Sequence, residues 1–209
     1  MKHIVLVIVA LMLGANLNAQ TPYEKGMESA FKLWDEDKLT EASNLFERIA
    51  SVEKDNWLPP FYAGYTLVLS SFNEKDETQL KLKLDKASEL LKRAEQILPK
   101  NPEIMIAQAL HNTAYINFDG QKYGMIMSPK NAAIYKEALK LAPKNPRVIL
   151  AKAEWDMGLA SFFNKSTDSY CKDVELALEI FKTEETPEEK FYPSWGKERA
   201  EQILVNCGN

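Results

Sequence analysis

Pro99-Lys100-Asn101-Pro102 recurs as Pro143-Lys144-Asn145-Pro146, a shift of 44 residues, and downstream Ala107 and Ala109 are matched by Ala151 and Ala153. In each copy the Asn side chain can accept from the first free amides of a helix. The Pro after it stands at the first helical position, where its missing N–H costs nothing and its fixed φ fits. Each copy therefore reads as a helix start, and self-similarity at a fixed period points to stacked helical units. Thr21-Pro22-Tyr23-Glu24 and Thr186-Pro187-Glu188-Glu189 carry the same punctuation in capping-box form, with Ser128-Pro129 a weaker instance.

Between these starts apolar residues fall at helical spacing, as in Ala87, Leu90, Leu91, Ala94 and Ile97 or Val174, Ala177, Leu178 and Phe181, and no stretch alternates like a strand. The spacing predicts an all-α chain of antiparallel pairs: residues 22–36 with 39–51, 58–72 with 77–98, 102–117 with 129–141, and 146–161 with 170–182. A ninth helix over 194–207 closes the stack. Residues 73–83, 118–127 and 162–169 read as insertions between helices. The second of these contains Gly120, Gly124, Met125, Ile126 and Met127, and is either folded back on the stack or a mobile lip that engages a partner through its methionines.

The second helices repeat a small, large, small pattern followed by proline. Ala87, Leu91, Ala94 and Pro99 fit it in full; Asn131, Tyr135, Ala138 and Pro143 miss the first position, and Ala42, Phe46 and Ile49 fit less closely. Gly64 suits the small position of a first helix. Over roughly residues 22–182 the chain thus resembles the tetratricopeptide repeat (TPR) family, and is similar overall to small secreted repeat proteins of Gram-negative bacteria. The resemblance implies a right-handed α-solenoid of about four helix pairs plus a C-terminal capping helix, with a concave groove lined by the first helices. The period near 44 departs from the family's length of about 34. Gln108, Asn112, Lys152 and Asp156 also stand where the family usually has apolar residues.

At the N-terminus, Met1-Lys2-His3, an apolar run from Ile4 to Leu13 and the small or polar stretch Gly14–Ala19 read as a signal peptide over residues 1–19, leaving residues 20–209 as a single domain. The apolar run is too short to span a bilayer, and no second one follows. Removing the leader deletes Lys2 and no acid, which takes the formal charge from −4 to −5, without a basic cluster for nucleic acid. The expected location is periplasmic or secreted.

In that oxidising setting Cys171 and Cys207 are expected to pair, since one starts a helix and the other ends the next, and antiparallel packing brings them together. Two free thiols are the other reading. After leader removal His111 is the only histidine, and there is no Cys-x-x-Cys, paired-His spacing or Gly-rich phosphate loop, so no metal, cofactor or catalytic residue is assigned. The acidic runs at Asp35–Asp37 and Glu184–Glu189 read as solvated faces and helix-end charges. Phe31, Trp34, Tyr62 and Tyr65 lie on first helices and are either inter-repeat core or groove contacts, with His111 a further polar contact.

The expectation is a non-enzymatic interaction module that holds a peptide or helix of another envelope or secreted protein in its groove. The alternative is a small-molecule or glycan binder in which Trp34 and Tyr65 stack on the ligand, with a carboxylate-based hydrolase a third reading.

Overall fold

The computed structural model describes residues 20–185 and 187–207, so the leader expected at residues 1–19 lies outside the described residues. Nine α-helices and one 3-10 turn at Asp168–Tyr170 make up their regular structure, without a strand. The helices are α1 (Pro22–Asp35), α2 (Leu39–Val52), α3 (Leu58–Ser71), α4 (Glu77–Ile97), α5 (Pro102–Phe118), α6 (Gly120–Leu141), α7 (Pro146–Phe162), α8 (Cys171–Thr183) and α9 (Lys197–Val205). Consecutive helices joined by short connections pack on one another, while α3, α5 and α7 also touch in series.

The helix starts are built as their residues dictate. Asn101 Oδ1 accepts from the amides of Glu103 (2.8 Å) and Ile104 (3.3 Å), and Asn145 Oδ1 from those of Arg147 (2.9 Å) and Val148 (3.2 Å). Thr21 and Glu24 complete a reciprocal capping box. Gly64 of α3 meets α4 at a distance that only hydrogen permits: a Cβ there would lie 2.8 Å from Leu91 Cγ. Asn131, which breaks the small-residue pattern of the second helices, is buried and satisfied by α5. Its Nδ2 donates to the Ala109 carbonyl (3.1 Å) and Thr113 Oγ1 (3.0 Å), and its Oδ1 accepts from Asn112 (2.9 Å).

Two expectations are corrected. Residues 118–127 are not a loop: α6 starts at Gly120 and runs through Pro129, leaving Asp119 as the whole connection and as cap, its Oδ1 accepting from the Lys122 amide at 2.9 Å. Inside the helix, Gly124 and Pro129 weaken it by roughly 1 and 3 kcal/mol. Buried Tyr123, packed 5.0 Å from Tyr115, together with Asn131, Tyr135 and Ala138, holds it against α5 regardless. Nor does a helix begin at Thr186-Pro187. Thr186 lies outside the described residues, and Pro187–Lys190 are irregular. The last helix starts instead at Lys197, after Gly196 turns the chain with φ +121° where a Cβ would sit 2.4 Å from Phe181 Cζ.

The two repeat copies are joined by a buried ion pair between equivalent positions. Arg147 Nε lies 2.9 Å from Glu103 Oε1, with side-chain exposures of 3% and 0%, and Asn145 Nδ2 donates to the same oxygen at 2.8 Å. The other two guanidinium nitrogens grip both oxygens of Glu184 at 2.8 Å. Cys171 and Cys207 are disulfide-bonded, closing a ring of sequence separation 36 that holds α8, the segment after it, and α9.

Arg147→Ala leaves Glu103 buried without a counter-charge and is expected to lower the free energy of urea unfolding by about 3–5 kcal/mol. Reduction of the disulfide should lower it by about 3–4 kcal/mol through the freed chain entropy of the unfolded state, with far-UV circular dichroism of the native protein unchanged.

Candidate functional site

Two places gather the residues singled out from the sequence. The first is the aromatic face of α1 and α3. Phe31 packs edge-on against Tyr62 (4.7 Å between centroids) and Phe46 (5.2 Å), and Trp34 lies 5.7 Å from Tyr65. Tyr62 and Tyr65 are buried, Phe31 and Trp34 half-buried. Burial pushes both phenols well above the usual tyrosine range.

This face is covered by the chain itself. The described residues from Glu184 to Gly196, between α8 and α9, cross the starts of α1, α3 and α7 as a strap. Glu184 binds Arg147; Glu189 accepts from Trp57 Nε1 at 3.1 Å; Lys190 pairs with Glu24 at 3.0 Å and Glu28 at 3.4 Å. Phe191 sits at φ +67°, a cost that its surroundings sustain. Its carbonyl accepts from the Tyr62 hydroxyl at 2.6 Å and its ring lies 5.8 Å from both Phe31 and Tyr23. Tyr192 packs on Trp57, and Trp195 stacks on Tyr65. The structure thus brings Phe31, Trp34, Tyr62 and Tyr65 together under an internal segment.

The second place is a cleft of about 660 Å³ with α5 as floor and α4 and α6 as walls. Its size falls within the range of small-molecule sites, roughly 300–1,000 Å³. Leu91, Tyr115, Tyr123, Met127 and Ile134 supply its apolar surface. His111, half-buried in the floor, turns Nε2 to the Leu84 carbonyl at 3.0 Å; Nδ1 lies 3.5 Å from Asn112 Oδ1. Asn112 is held in that orientation by its bond to Asn131. Burial lowers the imidazole below its ordinary pKa, so it is neutral at pH 7.

At one end the walls are tied. Glu77, at the start of α4, accepts from Lys122 Nζ and the Tyr123 hydroxyl of α6 and pairs with Lys81 at 2.9 Å. Those three hydrogen bonds, with Lys122 the strongest, hold its carboxyl at about 2.

Of the cleft residues the sequence singles out for binding only His111, as a polar contact, and Met127, as part of a lip. Along α4 the lining residues Lys81, Asp85, Ser88, Lys92 and Glu95 follow a helical stripe that reads as a solvated face, and nothing local marks it as a wall. Met125 and Ile126, expected in a lip, are exposed on α6, while Met127 faces the cleft. Among the described residues no helix is long and apolar enough to cross a membrane, and no group of three or more His, Cys, Asp or Glu is placed to hold a metal ion.

Comparison of the sequence with protein-family models and with curated proteins finds no match. Among solved structures the fold is similar to that of the HusA haemophore from Porphyromonas gingivalis, with a TM-score of 0.78 and 21% identity over 90% of this chain and 94% of that one. That similarity is one of fold.

Glu77 provides a titration check on the tied end of the cleft. Its folded pKa is depressed below the unfolded value of about 4.3, so its contribution to stability is complete above that pH and is lost as pH falls towards 2. Carboxyl NMR should find Glu77 ionised down to about pH 2, and Tyr123→Phe should shift its titration upward.

Proposed function

We propose that this protein is an exported, non-enzymatic binding protein for a planar, largely apolar small molecule of the tetrapyrrole class, haem among them, held between α4, α5 and α6. The observation that carries this reading is the cleft itself: about 660 Å³, with an apolar and aromatic patch of Leu91, Tyr115, Tyr123, Met127 and Ile134 beside one neutral histidine. Its occurrence in a chain whose fold is similar to that of a haemophore supports this ligand class. The donor set fits such cargo. Tyr115, Tyr123, Met127 and Ile134 offer surface for a ring face, and His111 adds a polar imidazole edge whose two nitrogens face the Leu84 carbonyl and Asn112 Oδ1. A disulfide supports export, since cytosolic reductants keep such thiols open.

Within the same proposal, the helix pairs form a TPR-like right-handed solenoid. Support comes from the Ala87, Leu91, Ala94, Pro99 pattern and from Gly64 closing on Leu91. The peptide-adaptor reading drew on Phe31, Trp34, Tyr62 and Tyr65, and the glycan reading on Trp34 and Tyr65. Phe31, Tyr62 and Tyr65 are engaged by the strap and Trp34 packs on all three, so a partner at those three rings would first have to displace Phe191 and Trp195.

Titration with haemin and with metal-free protoporphyrin IX, followed by the Soret band and tryptophan quenching, is expected to give saturable binding of both. Met127→Glu, which puts a charge into the apolar wall, should weaken both at least tenfold, a loss of about 1.4 kcal/mol or more. No binding of either ligand, or unchanged affinity in the variant, would remove this reading.

A further inference from the structure

The charges of the cleft are unevenly matched. Five of its lining residues are ionisable acids or lysines, and at the tied end Lys81 is paired with Glu77. Glu95 accepts from the Gln108 amide at 2.9 Å. Three remain without an ion pair or hydrogen bond among the described residues: Asp85 and Lys92 on α4, and Lys130 on α6. The two lysines stand on opposite walls, on either side of His111.

Their levels follow from the helix register. Glu77 meets Lys122 and Tyr123, His111 reaches Leu84, Asn112 reaches Asn131, and Gln108 reaches Glu95. Lys130 therefore lies near the middle of the cleft and Lys92 towards its untied end. Both lysines are exposed at the rim, whereas the surface between them carries no charge: Leu91, Met127 and Ile134 flank the neutral side chains of His111 and Asn112. An amphipathic ligand that puts its body on the floor leaves its acidic groups at the level of these two cations. Lysine stems are long enough to lie along the wall while the charge stays in water.

We infer that Lys92 and Lys130 are carboxylate-binding residues, and that the cleft selects planar apolar ligands bearing two acidic side arms over their uncharged counterparts. This rests on the small-molecule reading above and names the ligand class within it. Asp85, on the same wall as Lys92, disfavours a third acidic group near Tyr115, so the preference is for two acids rather than many. A lysine–carboxylate pair at an exposed rim is modest, and two together amount to about tenfold in affinity.

The experiment compares protoporphyrin IX with its dimethyl ester, delivered from the same cosolvent to the disulfide-bonded protein. Binding is read by tryptophan quenching in low and high salt, for the wild type and the exposed double variant Lys92→Gln, Lys130→Gln. The wild type should prefer the diacid about tenfold, less so in high salt. The double variant should bind acid and ester alike, at the wild type's affinity for the ester. Equal binding of both by the wild type overturns the inference and leaves the apolar cleft standing, as does a diacid preference that survives in the double variant. Failure of either ligand to bind at all removes the small-molecule reading and this inference with it.

Discussion

The guanidinium of Arg147 is enclosed by carboxylates that reach it from two other parts of the chain. Glu103 lies 44 residues earlier, at the same place in the other repeat copy, and Glu184 lies at the root of the strap. Taking such charges out of water costs several kcal/mol per ion, and well-packed apolar residues could replace them without loss. What the pair adds is geometry. Three guanidinium nitrogens are committed to named oxygens, so the start of α7 has one position relative to the start of α5, and the chain leaving α8 has one direction. The fit is incomplete: Glu103 Oε2 is buried without a hydrogen bond, and burial pushes this carboxyl above its ordinary range. The charge is held there by its partners, and the arrangement is one of specificity more than of stability.

From that anchor the strap follows. Fixed to Arg147 at one end and turned by Gly196 at the other, the segment has little choice but to lie across α1 and α3, and its aromatic side chains match the rings it meets. Phe191 accepts an unfavourable φ to deliver both a carbonyl to Tyr62 and a ring to Phe31. The disulfide joins the start of α8 to the chain just beyond α9, so both roots of the strap belong to one covalent ring. A face that would otherwise be an open aromatic groove becomes interior. Exposed concavity is left on another side of the stack, where α4 and α6 stand apart over α5.

What the sequence reveals divides along the range of the interactions. Asn101-Pro102 and Asn145-Pro146 mark helix starts because a cap is satisfied within three residues, and Cys171 and Cys207 are placed by two helix lengths alone. The strap is hidden because Phe31, Trp34 and Tyr62 carry the same spacing whether a neighbouring repeat or a segment some 130 residues away covers them. The early start of α6 is hidden for the opposite reason. Gly120, Gly124 and Pro129 are true local breakers, and what overrides them is packing of Tyr123 and Tyr135 against α5, which no local pattern contains. The cleft needs three helices at once, so His111 is visible as a lone polar residue and its surroundings are not.

The neutrality of that histidine has a consequence for the site around it. A protonated imidazole in the floor would repel the rim lysines and any metal. Burial favours the uncharged ring, although both of its nitrogens face oxygen atoms. The floor, formed by Gln108, His111, Asn112 and Tyr115, is therefore uncharged, and its partial burial lowers the effective dielectric beneath Lys92 and Lys130. In such a setting even rim charges act over a longer distance than on an open surface. On the proposed function, apolar contact would supply the bulk of the attraction for a flat ligand, while the sparse charges would decide its orientation: acids outward at the lysines, ring inward over Tyr115 and His111.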